Sequence, residues 1–156
     1  MRVGLGYDIH PLVAGRKFVL GGVVLPFDKG PKGHSDGDCL YHALTDAILG
    51  ALGLGDIGRH FPDNDPKWKD ADSAVFLKEA KRLIDEKKLK VENIDANLHA
   101  EAPKLVPHIP AMAKNIAVLL GIGEDRINIK AKRGEGLDAV GRGEAVAAQA
   151  VILLSS

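Results

Sequence analysis

Residues 2–10 change character at every position. Val3, Leu5, Tyr7 and Ile9 are apolar, whereas Arg2, Gly4, Gly6, Asp8 and His10 are small or polar. A period of two is the mark of a half-buried strand. It also carries a chemical consequence, because residues two apart leave a strand on the same side, so Asp8 and His10 project together. The period returns at Ile94, Ala96, Leu98 and Ala100, and again at Ile127, Ile129 and Ala131. Phe18-Val19-Leu20 and Val23-Val24-Leu25 flank Gly21-Gly22 and predict a hairpin with a two-glycine turn. Pro26 to Asp38 reads as loop.

Elsewhere the apolar period becomes helical. Leu40, Ala43, Leu44, Ala47, Ile48, Ala51 and Leu52 define one helix, with Ser35, Asp36 or Asp38 as its cap and Gly53 as its stop. Asp38, His42 and Asp46 are four apart and form a polar stripe beside its apolar face, where Asp46 either orients His42 or meets solvent. Residues 53–69 read as a second loop and 72–87 as a second helix. A third helix follows Pro107 and Pro110 over about 110–120 and stops at Gly121. Ala145 to Leu154 is almost continuously apolar. It reads as a strand buried on both faces, although periodicity alone admits a helix. The order β, hairpin, α, α, β, α, β, β predicts one α+β domain over residues 1–156, a mixed sheet with helices on one face. The apolar final strand implies that the other face is covered too, and a second copy of the chain is the simplest cover.

Charge narrows the function. The chain has 21 Lys+Arg against 21 Asp+Glu. A net charge of zero gives no bulk attraction for nucleic acid or an anionic membrane. Four Phe, two Tyr and one Trp offer little for stacking bases. No apolar run approaches the ~20 residues of a membrane helix, and the start lacks a signal peptide's apolar stretch. The single cysteine, Cys39, suits a reducing compartment. A cytoplasmic chain with no nucleic-acid or membrane partner is expected.

Four local groups could carry chemistry. Asp8 and His10 on the first strand, with His42 on the first helix, suit a divalent metal with an open position. The metal is Zn²⁺ or, because two histidines and a carboxylate also serve non-haem iron, Fe²⁺. The condition is that the helix packs over the strand; otherwise these are a surface strand and an unrelated histidine. Gly33-His34-Ser35-Asp36-Gly37-Asp38 runs into a helix start and suits an anion or an ordinary cap. Lys130-Ala131-Lys132-Arg133-Gly134-Glu135-Gly136 ends a strand and suits a diphosphate, with Glu135 beside it for Mg²⁺, or a salt-bridged turn. Ala100-Glu101-Ala102-Pro103-Lys104-Leu105 is a stiff turn that can offer main-chain groups to a base. His60, His99 and His108 read as structural or solvated, and Trp68 as surface packing.

Taken in order, these segments resemble the 2-C-methyl-D-erythritol 2,4-cyclodiphosphate synthase family of the non-mevalonate isoprenoid pathway. The residues that carry the likeness are Arg2 to His10, Leu20-Gly21-Gly22-Val23, His34 to Asp38, His42 to Ala47, and Gly55-Asp56-Ile57-Gly58. It continues through Phe61-Pro62-Asp63, Ala102-Pro103-Lys104, Pro107-His108-Ile109 and Gly141-Arg142-Gly143-Glu144. The resemblance implies a homotrimer, sheets packed around its axis, with active sites between subunits. It implies a substrate, 4-diphosphocytidyl-2-C-methyl-D-erythritol 2-phosphate, that cyclises with release of CMP. Asp8, His10 and His42 would bind Zn²⁺, and Glu135 would help bind Mg²⁺ or Mn²⁺. His34 and Ser35 would line the phosphate end. Asp56, Ile57 and Gly58, with Phe61, Pro62, Asp63, Asn64 and Asp65, would meet sugar hydroxyls. Ala100, Glu101, Ala102, Pro103, Lys104, Leu105 and Val106 would hold cytosine. His34, Arg133 and Glu135 would serve the reaction itself. An axial cavity could take a prenyl diphosphate, with Arg142 at its mouth.

The likeness breaks at one segment. Lys132 and Arg133, followed by Gly134, stand where the family usually has threonines, and Ala139 where it has phenylalanine. Arg133 is expected to contact the transferring diphosphate. Two other readings use the same residues: a binding protein that lost turnover, and a metal-dependent phosphohydrolase with water as nucleophile.

Overall fold

The structure, a computed structural model, describes residues 1–156. Strand β1 spans Arg2–Ala14. β2 (Phe18–Leu20) and β3 (Val23–Leu25) form the expected hairpin. Gly21 and Gly22 both have positive φ, 57° and 71°, which a two-residue turn matching the strand twist requires. The Pro26–Asp38 loop is not wholly irregular, because Lys29–Pro31 forms a short strand, β4, against the end of β1. Helix α1 covers Cys39–Leu52. The next loop holds a single helical turn, α2 (Ile57–His60), and a 3-10 turn at Pro66–Trp68. Then come α3 (Ala74–Glu86), β5 (Lys90–His99), α4 (Ile109–Leu120), β6 (Ile127–Lys132) and β7 (Ala145–Ser155).

The main sheet is mixed, in the order β4-β1-β7-β5-β6. Only β5 and β6 run parallel. The helices lie on one face: α1 crosses β1 and β7, α4 reaches β6, and α3 packs against both helices. The core between them is built of Val146, Ala148, Ala150, Ile152 and Leu154 from β7, and Ile94, Ala96 and Leu98 from β5. Leu40, Leu44 and Ile48 of α1 and Met112, Ile116 and Leu120 of α4 close it.

β1 has the expected period of two, and the side that the helix covers is the small and polar one. The helix covers Gly4, Gly6, Asp8 and His10, while Val3, Leu5, Tyr7 and Ile9 are 68%, 61%, 55% and 45% exposed in the single chain. The cause is the close approach of α1. A Cβ on Gly4 would lie 1.8 Å from the Ala47 carbonyl oxygen, and one on Gly6 would lie 1.9 Å from that of Ala43. Only glycine fits beneath the helix backbone. The helix side of the final strand is sealed, while Gln149 and Val151 on the other side are open in the single chain, the side on which the sequence calls for a second copy as cover. Rows such as Leu5–Val151–Asp95 and Tyr7–Gln149–Asn97 therefore form an uncovered face.

Candidate active site

The close packing of α1 on β1 brings His42 over Asp8 and His10. Asp8 Oδ2 lies 2.9 Å from His10 Nε2 and 3.2 Å from His42 Nδ1. The two ring nitrogens are 3.1 Å apart. The outer nitrogens of both rings have partners elsewhere. His10 Nδ1 sits 3.1 Å from the Lys32 carbonyl, and His42 Nε2 sits 2.8 Å from Ser73 Oγ. A neutral imidazole carries one proton. If those outer contacts hold the protons, the three inward atoms are all acceptors, and three converging lone pairs call for a cation. The donor set, two imidazoles and a carboxylate within 4.8 Å of one another, fits a divalent metal with a position left open. Burial works against ionisation of Asp8, but hydrogen bonds and charge from His10 and His42 outweigh it and hold its carboxyl well below the usual range. Burial lowers the His10 value, yet Asp8, the Lys32 carbonyl and Asp36 together leave it raised.

The triad lines a cleft of about 580 Å³ with His34, Ser35, Ile57, Gly58, Phe61, Pro62, Asp63 and Asn64. Phe76 packs on His42, with ring centroids 5.8 Å apart, and Phe61 and Trp68 pack on Phe76 at 4.7 and 5.6 Å. Trp68 thus belongs to the cleft wall rather than to surface packing. Two residues of the sugar-contacting group do not line the cleft. Asp56 caps α2 through the Arg59 amide at 2.9 Å, and Asp65 caps the next turn through the Lys67 amide at 2.9 Å. Ser35 lines the cleft, but its hydroxyl lies 3.1 Å from His42 Nε2 and 3.2 Å from Ser73 Oγ. Asp46 does not orient His42. Its carboxylate accepts the Ile57 amide at 2.9 Å and so pins the start of α2. A four-residue spacing puts two side chains on one face, but a better donor nearby took this one.

A second, separate cleft of about 380 Å³ is lined by Ala100, Glu101, Pro103, Lys104, Leu105, Val106, Ala131, Lys132 and Arg133. Ala102 lies in the same turn, joined to Pro103 by a cis bond. Arg133 does not reach toward the triad; its guanidinium pairs with Glu101, Nε donating at 3.0 Å. Gly134 and Glu135 lie outside this cleft, and the Glu135 amide donates to the other Glu101 oxygen at 3.0 Å. Arg142 stands apart from both clefts and pairs with Glu144 at 3.1 Å. The strand order puts β7 and β5 between β1 and β6. At ~4.8 Å per strand, the β6 end is ~14 Å across the sheet from His10. The two clefts of one chain therefore do not merge. Sequence reasoning missed Ser73 as a partner of His42 and Asp36 as the partner of Ser73. No short-range pattern joins residues 36, 42 and 73.

Fold and site together define a class: an α+β protein with two histidines and a carboxylate placed so that they could hold a cation, and with clefts sized for small molecules. Comparison with known proteins narrows this. The profile of the YgbB family matches residues 1–155, and the chain belongs to that family. It is 57% identical to the 2-C-methyl-D-erythritol 2,4-cyclodiphosphate synthase of Bordetella avium, over 99% of this chain and 95% of that protein. It is 58% identical to that of Desulfosudis oleivorans, over 99% and 92%. A solved structure of such a synthase in its CDP-bound form superposes with a TM-score of 0.91 at 44% identity, over 99% of this chain and 100% of the other.

Proposed function

We infer that the chain is a 2-C-methyl-D-erythritol 2,4-cyclodiphosphate synthase. It converts 4-diphosphocytidyl-2-C-methyl-D-erythritol 2-phosphate to the cyclic diphosphate and CMP, a step of non-mevalonate isoprenoid precursor synthesis. The observation that carries this reading is the convergence of Asp8, His10 and His42 in a chain whose relatives of more than 50% identity bear that name.

An oxygen of the 2-phosphate forms a bond to the β-phosphorus. The bond from that phosphorus to the bridging oxygen breaks, and CMP leaves with the oxygen. The nucleophile is already an anion, so no side chain need act as a general base. The obstacles are repulsion between two phosphates and competition from water. Asp8, His10 and His42 would hold Zn²⁺, and Glu135 would help hold Mg²⁺ or Mn²⁺. Bound there, such ions supply charge neutralisation and a template for in-line attack. His34 and Ser35 orient the phosphate end, and Ile57, Gly58 and Phe61 to Asn64, which line the same cleft, hold the sugar hydroxyls. The 100–106 turn offers backbone groups to cytosine. Lys132 adds positive charge at the nucleotide cleft, where the Arg133 charge is paired with Glu101. The aromatic wall of Phe61, Trp68 and Phe76 excludes water, which protects the cyclisation from hydrolysis.

The separation of the two clefts supports a homotrimer with sites between subunits, in which the triad cleft of one copy faces the nucleotide cleft of the next. The uncovered face of the sheet, apolar along β1 at Val3, Leu5, Tyr7 and Ile9, supports packing around an axis. In that assembly Arg142 would lie near the axis, where a prenyl diphosphate could bind. The chain acts as one domain, and its single free cysteine accords with the cytoplasm. No helix is long and apolar enough to cross a membrane.

Phosphorus NMR of the purified protein with the cytidine substrate tests the reading. A cyclic diphosphate and CMP are expected. A linear product with CMP means a hydrolase, and unchanged substrate means a binding protein.

A further inference from the structure

We propose that Ser73, backed by Asp36, is a positioning residue that fixes which ring nitrogen of His42 faces Asp8 and His10. The proposal rests on the metal site inferred above. Ser73 stands at the N-cap of α3, where a serine hydroxyl ordinarily accepts from the helix's own amides. It makes no such bond. Its side chain is wholly buried, and its hydroxyl lies 2.8 Å from His42 Nε2 and 2.5 Å from Asp36 Oδ1. The Ser73 amide also donates to Asp36 Oδ2, at 3.2 Å. The first amide of the helix, that of Ala74, is taken instead by the Asp72 carboxylate at 2.8 Å, which leaves the Ser73 hydroxyl free to face His42.

The direction of the bonds follows from elementary chemistry. An ionised carboxylate only accepts, so the Ser73 hydroxyl donates its proton to Asp36. Its oxygen is then free to accept, and the donor facing it is His42 Nε2–H. With the ring proton held on Nε2, Nδ1 is left bare toward Asp8 and His10. His10 reaches the same end by a simpler route, its Nδ1 facing the Lys32 carbonyl and its Nε2 facing inward. The two imidazoles thus present opposite nitrogens to one point, and each is locked from behind. A histidine ligand anchored through its far nitrogen keeps its ring orientation and gains basicity. The Asp36 charge makes the Ser73 oxygen the stronger acceptor, because hydrogen bonds in series polarise one another. Ser35 Oγ, 3.1 Å from the same nitrogen, is farther away and has no carboxylate behind it.

The test measures zinc affinity by competition with a chromophoric chelator, the visible spectrum of the Co²⁺-loaded protein, and the melting temperature of the metal-free protein. It compares the native chain with Ser73→Ala, Ser73→Thr, Asp36→Asn and His42→Ala. Ser73→Ala is expected to weaken zinc binding ~10–100-fold and to shift the cobalt spectrum. Ser73→Thr keeps the hydroxyl and should recover most of the affinity. Asp36→Asn keeps an acceptor without the charge and should fall between, and it carries the test if the threonine variant does not fold. A lower melting temperature with zinc affinity and cobalt spectrum unchanged would make Ser73 merely structural and overturn the proposal. If the native chain binds zinc no better than His42→Ala, the metal site itself falls and the proposal with it. If His42→Ala alone loses zinc, only the positioning role is lost.

Discussion

Asp38 gives its whole carboxylate to backbone amides. One oxygen accepts from Gly21, Leu40 and Tyr41, at 2.9, 3.1 and 3.1 Å, and the other from Gly22 at 2.7 Å. It therefore caps α1 and ties the β2–β3 hairpin to it. Three residues could have been the cap on sequence grounds, and only the hairpin contact singles out this one. Asp38→Ala loses a cap worth ~1 kcal/mol and strands buried amides at ~1–3 kcal/mol each. A loss of at least ~2 kcal/mol is expected in urea unfolding, with Asp38→Asn between the two. A loss below ~0.5 kcal/mol would mean the amides have other partners. Glu101 plays a looser version of this part for the turn that carries Glu135, whose backbone is left-handed at φ 51°. The Arg133 guanidinium, then the Glu135 amide, hold the Glu101 carboxyl below its ordinary value of 4.5. A lowered carboxyl value means the anchor is present above that pH and is lost as pH falls through the lowered value. Glu101→Gln should raise the Mg²⁺ or Mn²⁺ concentration needed for half-maximal rate while zinc affinity stays unchanged. An unaltered metal requirement would separate the anchor from Glu135's proposed role.

Among the elements, α1 on β1 decides the site. The alternation in residues 2–10 was legible, as was the face shared by Asp8 and His10. The side that meets the helix was not, because glycine looks like a gap in a hydrophobic pattern when it is a place for another backbone. The same limit hid Asp36 and Ser73: each is an ordinary loop or cap residue in sequence, and the register that joins them is set by the packing of α3 on α1. The alternation of β7 was masked by its small apolar residues, which suit an open face as well as a closed one. Gly6→Ala tests the helix contact. Its Cβ would meet backbone, not a side chain that can rotate away. The helix must lift, at a cost of ~1–3 kcal/mol or more, and His42 lifts with it. Both a lower melting temperature and weaker zinc binding are expected. Full zinc affinity in the variant would show that the triad does not depend on the helix lying so close.

At the scale of the molecule, the strand residues of the proposed metal site and the open sheet face belong to opposite sides of the same strand. Asp8 and His10 point toward α1, and Val3, Leu5, Tyr7 and Ile9 point away. A change on the open face can therefore remove the proposed trimer without touching the ligands. Leu5→Asp is the cleanest choice. Leu5 is 61% exposed in the single chain and pairs across the sheet with Val151, so aspartate there meets water rather than core. In an assembly the same carboxylate would be buried against a neighbour's apolar face, and a buried unpaired charge is strongly destabilising. The native chain should sediment at three times its 16.6 kDa mass, and Leu5→Asp at one. The variant monomer should keep its zinc, because all three ligands come from one chain. It should lose turnover, because ~14 Å of sheet separates the triad from the nucleotide cleft of the same copy. An active monomer would show that one chain completes the site. A variant that stays trimeric would place the subunit contact on some other surface.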